Sequence, residues 1–268
     1  MTKKYVWLSD THLSMSVVPA MKRRFIDRIT SIKADGLIIT GDISNGLWLE
    51  SDLRYLAEHH PKPIYFVLGN HDYYWRHMGS VHEDVRRLCK EYTNLLWLSE
   101  QDNPIAIAPG VSLVGHEGWF DANCGDRDST WWAIDRALNF DFWRVGDHVD
   151  QIYMWRQMSK MSADFIESMV ESASKMSDVI YVATHFPPWP EASRADGKIL
   201  EKLWYAYNTN TTLGKRLEKL ASSTRSQIVV LAGHTHLSCN LTVAKNLTCR
   251  VIPSSYWGKV GPEELLIL

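Results

Sequence analysis

Short apolar runs recur along the chain, each closed by a polar cluster: Tyr5-Val6-Trp7-Leu8, Leu37-Ile38-Ile39, Ile64-Tyr65-Phe66-Val67-Leu68, Val179-Ile180-Tyr181-Val182-Ala183 and Ile228-Val229-Val230-Leu231-Ala232. Such unbroken runs read as strands covered on both faces. Between the first three lie stretches with helical spacing, Met21, Phe25, Ile29 and Ile32, then Leu49, Leu53, Leu56 and Ala57. This alternation predicts βαβ units and a parallel sheet. Three further runs, Leu95 to Leu98, Ile105 to Ala108 and Val111 to Val114, crowd together around the turn signals Asn103-Pro104 and Pro109-Gly110. They predict antiparallel neighbours. From about 117 to 149 the chain is dominated by Gly, Asp, Arg and Trp, and no strand-like run occurs. We read that stretch as an inserted loop or lid that lines a substrate pocket and not a metal site. A long helical pattern follows through Ile152, Trp155, Met158, Met161, Phe165, Met169 and Ala173.

Polar residues of one chemical kind follow the strands. Asp10 and His12 come after the first, Asp42 after the second, Asn70, His71 and Asp72 after the third, His185 after the fourth, and His234 and His236 after the fifth. In open α/β sheets ligands bind at the carboxyl ends of the strands, so groups far apart in sequence converge there. Gly41, Gly69 and Gly233 precede these groups, as tight turns beside a bound ion require. Imidazole with carboxylate and amide oxygen suits borderline first-row metals, Mn, Fe or Zn, divalent or trivalent. Seven candidate ligands (Asp10, His12, Asp42, Asn70, His185, His234, His236) exceed what one tetrahedral ion accepts. Two ions about 3.5–4 Å apart, bridged by a carboxylate, use them all. Two carboxylates against two divalent ions leave the site positive, which attracts phosphate and acidifies a water.

Composition narrows the setting. The chain has 268 residues, 45% hydrophobic and 22% charged, enough for one sizeable core, and we expect a single domain over 1–268. The net charge of -2 comes with no long basic block, so bulk attraction to a nucleic-acid backbone is not indicated. The N-terminal apolar run is too short for a signal peptide, and no stretch approaches the roughly 20 residues needed to span a bilayer. Cys89, Cys124, Cys239 and Cys249 lack a Cys-x-x-Cys spacing, so reduced thiols and a cytoplasmic location are expected. A Cys239–Cys249 bridge across a late hairpin is the lesser alternative. The 12 Trp include Trp119, Trp131, Trp132, Trp143 and Trp155 in and after the insert, which marks it as a distinct segment.

The blocks Asp10-Thr11-His12, Gly41-Asp42, Gly69-Asn70-His71-Asp72, Thr184-His185 and Gly233-His234-Thr235-His236 resemble, in order and approximate spacing, those of the calcineurin-like metallophosphoesterases. The resemblance spans residues 10 to 236. It implies an α/β fold of four layers, α/β/β/α, in which two mixed β-sheets pack face to face with helices outside. It implies that Asp10, His12 and His236 hold one metal, that Asn70, His185 and His234 hold the other, and that Asp42 bridges them. It also implies that His71 lies near the scissile ester, where it protonates the leaving oxygen or stabilises the phosphoryl group, and that Asp72 orients it. The expected activity is hydrolysis of a phosphate ester by a metal-bridging hydroxide. A small phosphodiester or nucleotide is favoured as substrate over a monoester or a nucleic-acid strand. A non-catalytic interaction protein that has kept the fold is the alternative from another class, but such proteins usually lose ligands and none is missing here. His116, Trp119 and Trp189 either touch substrate or pack, and Arg127, Arg136 and Arg144 either grip phosphate or are solvated.

Overall fold

The computed structural model describes residues 2–15, 19–127, 134–193, 201–255 and 265–268. The apolar runs form two sheets. In the first, β1 (Lys4–Leu8), β2 (Gly36–Thr40), β3 (Ile64–Val67) and β4 (Leu95–Trp97) run parallel, and β11 (Leu265–Ile267) pairs antiparallel on the outer edge of β1. The second has the order β5 (Ile105–Ala108), β6 (Val111–Gly115), β7 (Val179–Ala183), β8 (Gln227–Ala232), β10 (Leu247–Val251), β9 (Cys239–Ala244). Its four central strands are parallel, and an antiparallel strand closes each edge.

Side-chain alternation along each strand explains why the sheets stack. In β1, Tyr5 and Trp7 point between the sheets, whereas Val6 and Leu8 face the helices. In β8, Val229 and Leu231 enter the same inter-sheet core while Ile228 and Val230 turn outward. With both faces apolar, each sheet must be covered twice. The outer face of the first sheet is covered by α1 (Pro19–Ser31), α2 (Leu49–His59) and α3 (Met78–Glu91), through Phe25, Ile29, Leu53, Leu56, Val85 and Leu88. The outer face of the second is covered by α6 (His148–Ala173) and α8 (Thr211–Ser223), through Ile166, Val170, Leu213 and Leu217. The four-layer α/β/β/α sandwich is therefore present. Tyr5 ties the sheets directly, its hydroxyl donating to the Ile107 carbonyl at 2.7 Å.

One strand expectation changes. Of the three crowded runs only β5 and β6 pair antiparallel with each other; Leu95–Trp97 pairs parallel with β3 in the other sheet. The segment from 98 to 104 therefore carries the chain between sheets, and nearness in sequence misled the reading. The insert contains two short helices, α4 (Ile134–Leu138) and α5 (Phe140–Trp143); Trp131 and Trp132 lie outside the described residues. Beyond it, the carboxylate of Asp147 caps α6 by accepting from the N–H groups of Val149 and Asp150. The Cys239–Cys249 alternative is not realised. Cys239 lies opposite Val251, Cys249 lies opposite Leu241, and both thiols are free. No helix among the described residues is long and apolar enough to cross a membrane.

An aromatic cluster joins the insert to the sandwich. Trp155 of α6 is fully buried against Phe120, Phe142 and Tyr207, with ring centroids 4.9, 5.8 and 6.0 Å away. Truncation to alanine removes most of that packing, so Trp155→Ala is expected to cost about 3–5 kcal/mol. Urea unfolding will measure it, and a loss below about 1 kcal/mol would contradict this packing.

Candidate metal centre

All five ligand-bearing strands end on one side of the sandwich. β1, β2 and β3 are neighbours in one sheet and β7 and β8 in the other, so their carboxyl ends face each other across the inter-sheet core. The backbone then bends sharply. Asp10 (φ 51), His12 (φ 41), Asp42 (φ 50), His234 (φ 69) and His236 (φ 58) all occupy the left-handed region, which is costly for residues with a Cβ and is kept where the surroundings impose it. Here the surroundings are backbone bonds between adjoining loops. Asp10 N–H donates to Gly41 O at 3.0 Å, His12 N–H to Asp42 O at 2.9 Å and Gly233 N–H to His185 O at 3.0 Å. A Cβ on Gly69 would collide with the Asp42 carboxylate and backbone, and one on Gly233 would collide with Ser9. Those two positions admit nothing larger than glycine.

The structure brings all seven sequence-predicted ligands together in two overlapping groups. In one, Asp10 Oδ1 lies 3.1 Å from His236 Nε2, and His12 Nε2 lies 3.4 Å from the same nitrogen. In the other, His185 Nε2 lies 3.0 Å from Asn70 Oδ1, 3.1 Å from His234 Nδ1 and 3.4 Å from Asp42 Oδ1. Asp42 belongs to both, because its second oxygen sits 3.8 Å from His12 Nε2. Ligand atoms of Asp10, His12 and His236, and of Asp42, His185 and His234, lie within 4.8 Å of one another, close enough to share an ion.

Three of the donors, His185, Asp10 and Asn70, are aimed by bonds on their far side. Nδ1 of His185 is 2.9 Å from the Thr40 carbonyl and must carry the proton, which leaves the Nε2 lone pair for the site. Asp10 Oδ2 accepts from Ser9 Oγ at 2.5 Å and His234 N–H at 3.0 Å, so Oδ1 faces inward. Both Nδ2 hydrogens of Asn70 point away, to Tyr74 Oη at 2.8 Å and Asp135 Oδ1 at 2.9 Å. Sequence reasoning missed Asp135. It lies in the insert between Ile134 and Arg136, where nothing in the local pattern singles it out.

Electrostatics fit a cation. Burial, then the charges of Asp10 and Asp72, push Asp42 well above the usual carboxylate range. Burial opposes ionisation of Asp10 too, but the hydrogen bond and charge of His236 hold it below the ordinary value. Burial pushes His12 down to about 4 and His234 well below 6.5, so both present neutral lone pairs at pH 7. Crowded carboxylates with neutral imidazoles and an amide oxygen are the donor set of borderline first-row cations. His71 stands at the mouth with its side chain 37% exposed, edge-on to His12 and tilted against Tyr74, its Nε2 3.8 Å from Asp42 Oδ2. With His12 and Asp42 it makes a third group of ion-holding dimensions.

The hydrogen bonds of Asp72 run to the backbone and not to the His71 ring. Its buried carboxylate accepts from the N–H groups of Ser44 and Gly69 at 2.8 Å and of Ile43 at 3.2 Å. It thereby clamps the loop after Asp42 to the loop before Asn70. Trp119 is buried beneath the site, against Phe186, and Trp189 donates to Glu218 in the outer helical layer. His116 lies on a separate cavity of about 240 Å³ with Trp97, Glu117 and Met158.

A profile described as calcineurin-like phosphoesterase matches residues 3–238. Among solved structures, the phosphopantetheinyl hydrolase of Mycobacterium tuberculosis is similar at 14% identity, covering 99% of this chain and 95% of that one, with a TM-score of 0.69. A dimetal phosphatase from Danio rerio is similar at 12% identity, covering 94% and 87%, with a TM-score of 0.57. No curated protein matches the sequence.

Wild-type protein reconstituted with Mn²⁺ is expected to approach two ions per chain by elemental analysis, and Asp42→Ala to lose at least one. Because burial pushes Asp42 well above the usual carboxylate range and the Asp10 carboxylate pushes His236 above 6.5, both groups favour the proton, and Mn²⁺ uptake should displace it. Affinity should therefore strengthen as pH rises. Calorimetric heats that do not change with buffer ionisation enthalpy would contradict this.

Proposed function

We propose that this chain, which belongs to the calcineurin-like phosphoesterase family and is a phosphoester hydrolase, uses a two-metal centre to cleave a small phosphodiester or nucleotide. The observation that carries the reading is the division of Asp42, one oxygen toward His185 and the other toward His12. In this reading Asp10, His12 and His236 hold one first-row ion, Asn70, His185 and His234 hold the second, and Asp42 is shared. When bound, the two ions would supply Lewis acidity to the phosphoryl oxygens and lower the pKa of a water.

The chain's own residues do the rest. Ser9, Thr40 and the backbone of residue 234 fix the ligand orientations, so little reorganisation accompanies substrate binding. The Asp72 clamp keeps the Asp42 and Asn70 loops in register, and its role is structural in this reading. Burial, then the charges of His12 and His185, push His71 down to about 3, so at pH 7 it offers a neutral N–H at the site mouth. That N–H would donate to the departing oxygen of the ester. Among structural relatives, one carries the name phosphopantetheinyl hydrolase, so a phosphopantetheinyl ester belongs in the substrate panel beside nucleotide mono- and diesters.

His71→Asn separates stabilisation of the departing oxygen by the His71 N–H from metal binding. Metal content should survive, because Asn70 and not His71 is the proposed ligand. A positioned acid contributes typically about 10²–10⁴-fold, most where the leaving alkoxide is strongly basic. Activity on alkyl and nucleoside esters should fall in that range while aryl esters such as nitrophenyl phosphates retain much of theirs. Equal losses on both would assign His71 to the phosphoryl group, and loss of metal would place it among the ligands.

A further inference from the structure

Residues 135–141 of the insert are laced to the loop after Asn70. Leu138 O accepts from Trp75 N–H at 2.6 Å, and Arg76 O accepts from Phe140 N–H at 3.3 Å. The Asp141 carboxylate accepts from Met78 N–H at 2.6 Å and lies 2.9 Å from His77 Nδ1. Trp75 itself is held at φ 65, a conformation an aromatic residue adopts only under constraint. At the head of this lacing, Asp135 Oδ1 accepts from Asn70 Nδ2 at 2.9 Å and from Tyr74 Oη at 2.9 Å, and Tyr74 Oη accepts from the same amide at 2.8 Å.

These bonds bear on one atom. The two ends of an asparagine amide are alike in shape and opposite in hydrogen bonding, so its partners decide which end faces where. A carboxylate accepts and, when ionised, cannot donate, so Asp135 holds the nitrogen on its own side. The oxygen is then left beside His185 Nε2, at 3.0 Å. Turned over, the amide would present two N–H groups to a cation. Asp135 is buried and sits on α4, outside every strand-end motif.

We propose that Asp135 is a positioning residue of the metal centre: by locking the Asn70 amide with its oxygen inward, it makes the insert a determinant of metal affinity at the position shared by Asn70, His185 and His234. The inference rests on the two-ion reading above. Loss of an outer partner of a ligand typically costs about 10–100-fold in metal affinity.

Stepwise Mn²⁺ titration by calorimetry on the full chain tests it, with no substrate present. Asp135→Leu should weaken one of two binding steps by about 10–100-fold and leave the other within about threefold. Asp135→Asn keeps an acceptor oxygen but can also turn its amide and donate, so it should weaken the same step by less than Asp135→Leu does. Asn70→Ala should weaken the same step, and Asn70→Ala with Asp135→Leu should lose no more than Asn70→Ala alone, because Asp135 acts through Asn70. Asp135→Ala gives the same readout if the leucine variant does not fold. Unchanged steps in Asp135→Leu or Asp135→Ala, or additive losses in the double variant, overturn the inference while leaving the two-ion centre intact. A wild-type chain that binds fewer than two ions overturns both.

Discussion

Two carboxylates buried at adjacent strand ends set the terms for the rest of this molecule. Asp10 is fully inaccessible and Asp42 nearly so, and among the described residues neither has a lysine or arginine partner. A buried anion is tolerated only with compensating donors or a cation. Backbone and hydroxyl donors supply part of that compensation: Ser9 and the His234 N–H on Asp10, the His71 N–H on Asp42. Asp10 Oδ2 takes two of these donors, while Oδ1, reached by the His234 N–H only at 3.2 Å, turns inward to His236, and burial keeps His12, His185 and His234 neutral. Around His185 Nε2, where Asn70 Oδ1 and Asp42 Oδ1 face a lone pair, acceptors meeting acceptors make sense as a seat for positive charge.

Holding that seat has a conformational cost. Five of the seven proposed ligands sit in the left-handed region, at a cost of order 1–3 kcal/mol each. Loops alone would relax. The bends persist because the sandwich over-determines them: Trp7, Val67, Leu113 and Leu231 pack the sheets into one inter-sheet core, which fixes the strand ends from which the loops depart. Asp72 then joins two of those loops through three backbone donors. It lies next in sequence to His71 yet serves the scaffold, because its side chain leaves the turn on the buried side.

What the sequence disclosed follows from how local each signal is. Strand runs such as Ile64 to Leu68 and Ile228 to Ala232 announce themselves by composition, and a polar residue just past a strand end has a defined place in an α/β sheet. The seven proposed ligands were legible for that reason, as was the long helix through Trp155. Sheet membership of Leu95–Trp97 was not, because it depends on a crossing between sheets that no local pattern encodes. The backbone bonds of Asp72 were not legible for a related reason: adjacency to His71 along the chain does not say which way a side chain leaves a turn. Asp135 was invisible because its partner is 65 positions away, in a segment with no periodicity.

The aromatic excess of the chain acquires a physical role from the same geometry. Trp119 packs against both Phe142 of the insert and Phe186, at 5.7 and 5.5 Å, and Phe186 in turn lies against His185 and His234, at 5.0 and 4.2 Å. Two ligands of one proposed ion position are thus backed by the ring that also touches the insert's anchor. The third, Asn70, is reached from the other direction through Asp135. Large rings lose little rotamer freedom and bury much area, so a cluster of them transmits position with little slack. A displacement of the insert would therefore bear on that ion position from two sides at once, while the position of Asp10, His12 and His236 is set by loops whose backbone bonds run to other strand ends. The proposed centre is asymmetric in its support, and the asymmetry lies in the segment whose sequence is the least patterned.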